Sequence, residues 1–255
     1  MLALACSGVA EGVWLRAERQ SSGRGRMGRD WSSPVGNFYG STVVRLRPTD
    51  RAPATLALLA AVALEETVST FLPFPGEGRG PGGKAAVTTR HASQPPLSQL
   101  DPGLRRGAGR GGVCLKWPND LLVDGAKLSG ILLERADDAV VVGIGVNLAH
   151  HPDLPDRPTT SLAAHGTPVD AAQFAETLAE TFSRWLSRWR GEGLAPVRQR
   201  WLDRAHPIGT ALTARLPDGT AHDGLFDGLD ADGALILRLA DGDRRVIHAA
   251  DVFLI

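Results

Sequence analysis

Lys127–Leu148 reads KLSGILLERADDAVVVGIGVNL, two apolar runs joined by an acidic turn. Lys127–Glu134 and Ala139–Leu148 have the β-branched content and short length of strands, with Ala136–Asp138 turning the chain between them. Glycine weakens a strand, because it adds backbone freedom and offers no side chain to pack. Gly130, Gly143 and Gly145 nevertheless interrupt these runs. Three glycines on adjacent strands point to something that must approach the backbone closely, such as a flat ligand lying on the sheet. Asn147 ends its strand, as a turn former or as an adenine or phosphate contact.

Further strands lie upstream. Gly12–Glu18 and the β-branched, aromatic run Asn37–Leu46 read as two strands, and Val113–Trp117 as a short third. Between them Asp50–Val68 predicts a helix, with Thr49 or Asp50 as cap and Pro53 in the first turn, where a missing N–H costs little. Leu56–Leu64 is apolar nearly all round, which implies burial on most sides. Downstream, TPVD suggests a helix start with Thr167 as N-cap, Pro168 as first residue and Asp170 as the third-position acid. Phe174, Leu178, Phe182, Trp185 and Trp189 then share one helical stripe, which reads as core packing rather than a base-stacking surface. A shorter helix is expected over Pro196–Ala205. From Ile208 onward, Gly/Asp turns separate short alternating runs, the pattern of a small all-β unit. The chain is therefore expected to be α+β: a central mixed or antiparallel sheet with helices on one side over residues 1–205, then a β domain over 206–255.

Pro75–Gly112 fits neither unit. Ten of its 38 residues are Gly and five are Pro, too little apolar surface to offset the entropy of ordering. It carries six basic residues against two acidic ones, so a nucleic-acid arm is one reading. A disordered surface insertion is the better one, because a structureless loop of that length is unusual inside a domain.

The chain has 255 residues, 43% of them hydrophobic, with Lys+Arg and Asp+Glu both at 28. A net charge of zero argues against broad binding to nucleic acid or an anionic membrane. The β domain is acidic, with eight Asp against four Arg. Cys6 and Cys114 form neither a metal spacing nor a disulfide framework, so reduced thiols in a cytoplasmic setting are expected. No unbroken apolar run reaches the ~18 residues of a spanning helix. MLALACSGVAEG lacks the basic start of a signal peptide.

Two segments carry further chemistry. Gly23–Trp31, GRGRMGRDW, sets Arg24, Arg26 and Arg29 among Gly23, Gly25 and Gly28. Glycines let backbone N–H groups close on an anion, and arginines bring permanently charged planar forks for carboxylate or phosphate. The strand-like continuation excludes a GxGxxG helix start, and no Gly-Lys-Ser/Thr follows to make a Walker loop. The plain alternative is a flexible basic surface loop. Lys116–Asp120, KWPND, combines a stiff Pro118 exit with Asn119 and Asp120, which suit a ribose, a Mg²⁺ ion or an ordinary Asx turn. Lys127 lies seven residues beyond Asp120 and would neutralise a carboxylate or α-phosphate in such a pocket.

Taken in order, GRGRMGRDWSSPVGNFYGS, KWPNDLLVDGAKLSGILLE and VVVGIGVNL resemble the signature blocks of the biotin–protein ligase family. The C-terminal β unit, ending DVFLI, is similar to that family's SH3-like β-barrel. The resemblance spans nearly the whole chain outside Pro75–Gly112. It implies the catalytic fold shared with class II aminoacyl-tRNA synthetases, and ATP and biotin as substrates with Mg²⁺. It also implies the formation of biotinyl-5′-AMP, then transfer of biotin to a lysine of a biotin carboxyl carrier protein, the acceptor part of acetyl-CoA carboxylase. By the same resemblance Lys127, Arg26 and Lys116 serve the chemistry. Gln20, Arg24, Lys127, Gly130, Ile131, Leu132, Gly143 and Gly145 surround biotin. Arg24, Arg26, Arg29, Trp31, Asn119 and Asn147 face the nucleotide, with Trp31 near the adenine end. Asp120 is placed at the Mg²⁺ side. The resemblance further implies a homodimer as the family's common assembly.

Three departures follow from the same resemblance. Met27 stands where many relatives have another Arg. Pro75–Gly112 is an insertion. The early Ser-Thr-Asn motif that contributes to the family's biotin pocket is missing, and MLALACSGVAEG resembles the end of the helix after it, so a truncated start is expected. The DNA-binding domain of repressor-type relatives is also missing, which leaves no expectation of DNA binding. Two alternatives remain at this stage: a lipoate or octanoate ligase, which shares the fold, and a truncated protein that binds ligand without turnover. GRGRMGR and KWPND point to biotin over the first.

Overall fold

The computed structural model describes residues 1–72 and 112–255, so all but the last residue of the expected insertion lies outside it. Trp14–Ala17 (β1), Phe38–Arg45 (β2), Val113–Lys116 (β3), Asp120–Val123 (β4), Ala126–Ala136 (β5) and Ala139–Val146 (β6) form one sheet in the order β1-β2-β6-β5-β4-β3. Every pairing in it is antiparallel, which resolves the mixed-or-antiparallel expectation. β4 is a strand the sequence pattern did not reveal. It is four residues long, fully buried, and its pairing with β5 is broken by an irregularity at Leu121/Leu122.

Strand alternation divides the sheet's residues between two faces. Val140, Val142, Ile144 and Val146 of β6 face one way, into the main core, with Leu128 and Ile131 of β5. Helix α2 (Leu56–Phe71, following the five-residue α1, Leu2–Cys6) lies on that core and is buried along most of its length. Pro53–Phe71 is long and apolar enough to cross a membrane, but it packs against α3 (Ala171–Glu192), α4 (Leu194–Leu202) and the sheet. Its start differs from the expectation. Pro53–Thr55 forms a 3₁₀ turn, the α-helix begins at Leu56, and neither Thr49 nor Asp50 caps it. Asp50 instead accepts from the Arg47 backbone N–H and pairs with Arg190 of α3.

In α3 the expected stripe of Phe174, Leu178, Phe182, Trp185 and Trp189 is buried. Each such side chain contributes on the order of 1.5–3 kcal/mol. The cap is Asp170, not Thr167: its carboxylate accepts from the N–H groups of Ala172 and Gln173. Thr167–Val169 lie outside the helix, so the cap falls three residues later than Thr167, where it was expected. The fully buried Glu65 of α2 binds Arg200 at 2.8 Å and Arg204 at 3.4 Å, which fixes α4 across α2. The short α1 is the exception to helices on one side. Ala5 packs with Val43, Ala136, Ala139 and Val141 on the opposite face of the sheet.

The C-terminal unit is an open five-stranded sheet, β7 (Ala211–Arg215), β8 (Ala221–Leu229), β9 (Leu235–Arg238), β10 (Arg244–Ile247) and β11 (Asp251–Leu254), ordered β10-β9-β8-β7-β11. Among the described residues the outer strands β10 and β11 are not hydrogen-bonded to each other, and this sheet is the β domain expected after residue 205. Its many aspartates have a local cause. Asp218, Asp230 and Asp241 each accept the backbone N–H two residues on, the Asx geometry of tight turns. The unit rests on the larger one through Trp117 Nε1–H donating to Gly233 O and Arg198 donating to Leu229 O.

Candidate active site

The face of the sheet opposite α2 carries a cleft of about 730 Å³, whose lining includes residues of every sequence cluster named above. Gly130 of β5 pairs with Gly145 of β6, and Leu132 with Gly143, so these four form adjacent positions of a floor. Ile131 does not join them. It pairs with Ile144 and its side chain is buried in the helix-side core, so only its backbone can serve the wall. Period-two alternation separates Ile131 from both neighbours, a distinction the motif as a block does not make.

Over this floor folds the loop Gly23–Trp31. Trp31 N–H donates to Gly23 O and Gly25 N–H to Arg29 O, with Arg24 bridged to Asp30. Gly23 is required by crowding, since a β-carbon there would lie 2.5 Å from the Trp31 carbonyl oxygen. Met27 takes a left-handed conformation at the rim and is 69% exposed. Arg24 is exposed at the cleft. Gln20 lines the same space and accepts from Ser33 Oγ. The Trp31 indole rests on the glycine floor, with Lys127 Nζ 5.7 Å from the ring centroid. Its buried Nε1–H has no partner among the described residues. The aromatic expected at the nucleotide end thus lies on the glycines expected beneath biotin. A flat ligand there must displace the indole or share the space with it.

At one end of the floor Asp120 stands between two lysines, 2.5 Å from Lys127 Nζ and 3.5 Å from Lys116 Nζ. Burial alone would raise the Asp120 carboxyl. Lys127 and Lys116 together outweigh that and hold it below the usual carboxylate value. Burial pushes the Lys116 ammonium down, and Asp120 offsets this only in part. Each oxygen of Asp120 faces an ammonium group, and the described residues hold no cluster of three His, Cys, Asp or Glu side chains. That donor set does not fit a resident Mg²⁺ at Asp120. Asn119 and Asn147 have structural partners: Asn119 Nδ2 donates to Ile131 O, and Asn147 Nδ2 to Thr160 O. Both border the cleft while fixing its walls.

The structure adds residues that the motifs did not indicate. Asp251, the first residue of DVFLI, holds Arg29 Nη2 at 3.0 Å and Arg26 Nη1 at 3.6 Å, and Arg26 also donates to Ala250 O. Burial lowers the Arg26 guanidinium below its usual value against the pull of Asp251 and Asp120. Tyr39 and Ser41 of β2, and Asp156 and Arg157 of the loop after β6, complete the lining. The alternation of β2 marks Tyr39 and Ser41 as one face. Nothing local marks Asp251 or Arg157. Beside the cleft, Cys114 Sγ sits 3.4 Å from His206 Nδ1. Burial pushes this thiol up to about 12, away from the thiolate that a nucleophile needs.

Comparison with known proteins agrees across the chain. The model of the biotin/lipoate A/B protein ligase family matches residues 10–148, and that of the biotin protein ligase C-terminal domain matches residues 208–255. A biotin–[acetyl-CoA-carboxylase] ligase of Paracoccus denitrificans is 37% identical over 96% of this chain and 92% of its own. The bifunctional ligase/repressor BirA of Bacillus subtilis is 31% identical over 98% of this chain and 68% of its own. Among solved structures, the Aquifex aeolicus biotin protein ligase in complex with biotin and ATP superposes with a TM-score of 0.75 at 20% identity, covering 99% of this chain and 94% of that one.

Proposed function

The chain belongs to the biotin/lipoate A/B protein ligase family, and from that premise and the cleft we infer that it is an ATP-dependent biotin–protein ligase. The carrying observation is one cleft that joins a glycine floor, a Lys127–Asp120–Lys116 cluster and an Arg/Gly loop above them. The acceptor is a lysine of the biotin carrier of a carboxylase, in line with the names of the relatives.

In the first step a biotin carboxylate oxygen attacks the α-phosphorus of ATP and the bond to the leaving pyrophosphate breaks. Two anions must meet, so cations in a partly dry site lower the barrier. Lys127 and Arg26 are assigned that role, with Lys116 behind them. Arg24 and Arg29 hold the phosphates at the mouth. In the second step the acceptor amine attacks the acyl carbon, AMP leaves, and the amine gives up a proton. The mixed anhydride between the steps hydrolyses unless water is kept out, which is the task of the folded Gly23–Trp31 loop.

The test is pyrophosphate release with biotin, lipoate or octanoate, followed by transfer to a carrier domain. Release with biotin alone is expected. Release with lipoate or octanoate alone would replace biotin as the substrate. No release with any acid would leave a binding protein without turnover.

A further inference from the structure

We propose that Arg157 is a further phosphate-binding residue, one that leaves Asp156 to grip the polyphosphate of the bound nucleotide; this rests on the ligase reading above. Arg157 lies in HPDLPDRPTT, a proline-rich stretch with no recognisable motif. Its backbone, however, is fixed to the catalytic floor. Lys127 N–H donates to Pro158 O, Thr160 N–H donates to Lys127 O, and Asn147 Nδ2 donates to Thr160 O. The residue next to Arg157 is therefore bonded to the same peptide unit that carries Lys127, which sets the guanidinium at a defined place along the cleft wall.

Its surroundings suit an anion. Arg157 is within electrostatic reach of Asp120 and Asp251, the two carboxylates around which the other cations gather. Each of those carboxylates already serves two cations, Lys127 with Lys116 and Arg26 with Arg29. Among the described residues Arg157 pairs only with its sequence neighbour. Its Nε and Nη2 both donate to one oxygen of Asp156, whose side chain is 53% exposed. Such an exposed pair adds little stability. A phosphate offers the guanidinium two oxygens in a fork that one carboxylate oxygen does not. Asp156 thus holds the arginine at rest and gives it up at little cost.

This assignment separates two residues that a structural ion pair would treat alike. If Asp156–Arg157 only braced the loop, D156N and R157A would change ATP use in the same direction. If Arg157 binds phosphate and Asp156 competes for it, the directions are opposite. The experiment is ATP–pyrophosphate exchange at saturating biotin, with thermal melting of each variant and calorimetric titration of ATP alone. For R157A we expect KM for ATP and the ATP Kd to rise about tenfold or more, with KM for biotin within about twofold. R157K should recover part of the loss, and D156N should bring KM for ATP to or below the wild-type value. The proposal is overturned if R157A leaves both ATP constants within about twofold, if the biotin constant moves instead, or if D156N raises KM for ATP as R157A does. Absence of biotin-dependent exchange in the wild type would count against the ligase reading. The titration with ATP alone would still decide the role of Arg157.

Discussion

The indole of Trp31 occupies the space that a side chain on Gly145 would need: a β-carbon there would lie 2.8 Å from ring Cε2 and 2.9 Å from Cζ2. Trp31 belongs to a loop and Gly145 to the centre of a sheet, so the loop is the part that gives way. Gly145→Ala should keep the fold, with a melting temperature within a few degrees of wild type, and lose about tenfold or more in kcat/KM for biotin. Unchanged kinetics would mean that the indole's seat on the floor has no part in the reaction.

Arg26 reaches from the loop to Ala250 O and Asp251, and no other loop side chain makes both contacts among the described residues. Arg26→Gly should leave adenylate formation detectable but loosen retention of the adenylate. Biotin would then label lysines of unrelated proteins. The check is a blot of biotinylated bystander protein such as serum albumin, in which acceptor-only labelling would remove Arg26 from this role.

Removing either member of the Lys127–Asp120 pair should have unequal effects. Lys127→Ala takes away the cation assigned to the reacting anions, and adenylate formation should fall by about a thousandfold with modest loss of stability. Asp120→Asn leaves two half-dry ammonium groups facing each other, which costs about 3–5 kcal/mol in comparable buried pairs. Chemical denaturation and single-turnover adenylation together separate the two outcomes. Equal stability of the two variants would show that Asp120 is not the counter-ion on which the cluster depends.

His206 gives the fold an acid limit. Burial first, then the charge of Lys116, lowers its imidazole from the usual 6.5 to about 4. The folded protein therefore keeps the ring neutral while the unfolded chain takes up a proton, so stability rises with pH across this window. Its contribution is complete above about 6.5 and is lost as pH falls toward about 4, by about 2–3 kcal/mol. His206→Gln should flatten that part of the stability curve. Urea melts at intervals from pH 7.5 to 4 measure it, and parallel curves for the two proteins would refute the assignment.

The sheet was legible where strands alternate and end in turns. β5 and β6 were visible because their apolar runs are long, and their glycines marked the floor. β4 was not, because four residues between two turns carry no period. The cap of α3 was not legible, because TPVD satisfies a capping pattern at Thr167 while the chain makes its bonds at Asp170. Within the site, motif blocks located Lys127 and the arginines but treated Ile131 as equal to Gly130, which strand alternation forbids. Asp251 lay beyond any local pattern. Its meaning depends on a contact 222 residues away along the chain, and only tertiary structure supplies it.

That long separation bears on how the protein is made. A chain emerging from the ribosome presents the Arg loop early, and its six-stranded sheet can be assembled once α4 has appeared. Asp251 follows 222 residues after Arg29. Until then Arg26 and Arg29 have no anchor, and a nascent chain that took up biotin and ATP would hold them beneath an untethered loop. The loop is thus tethered only after the C-terminal sheet has been made and has docked on the larger unit.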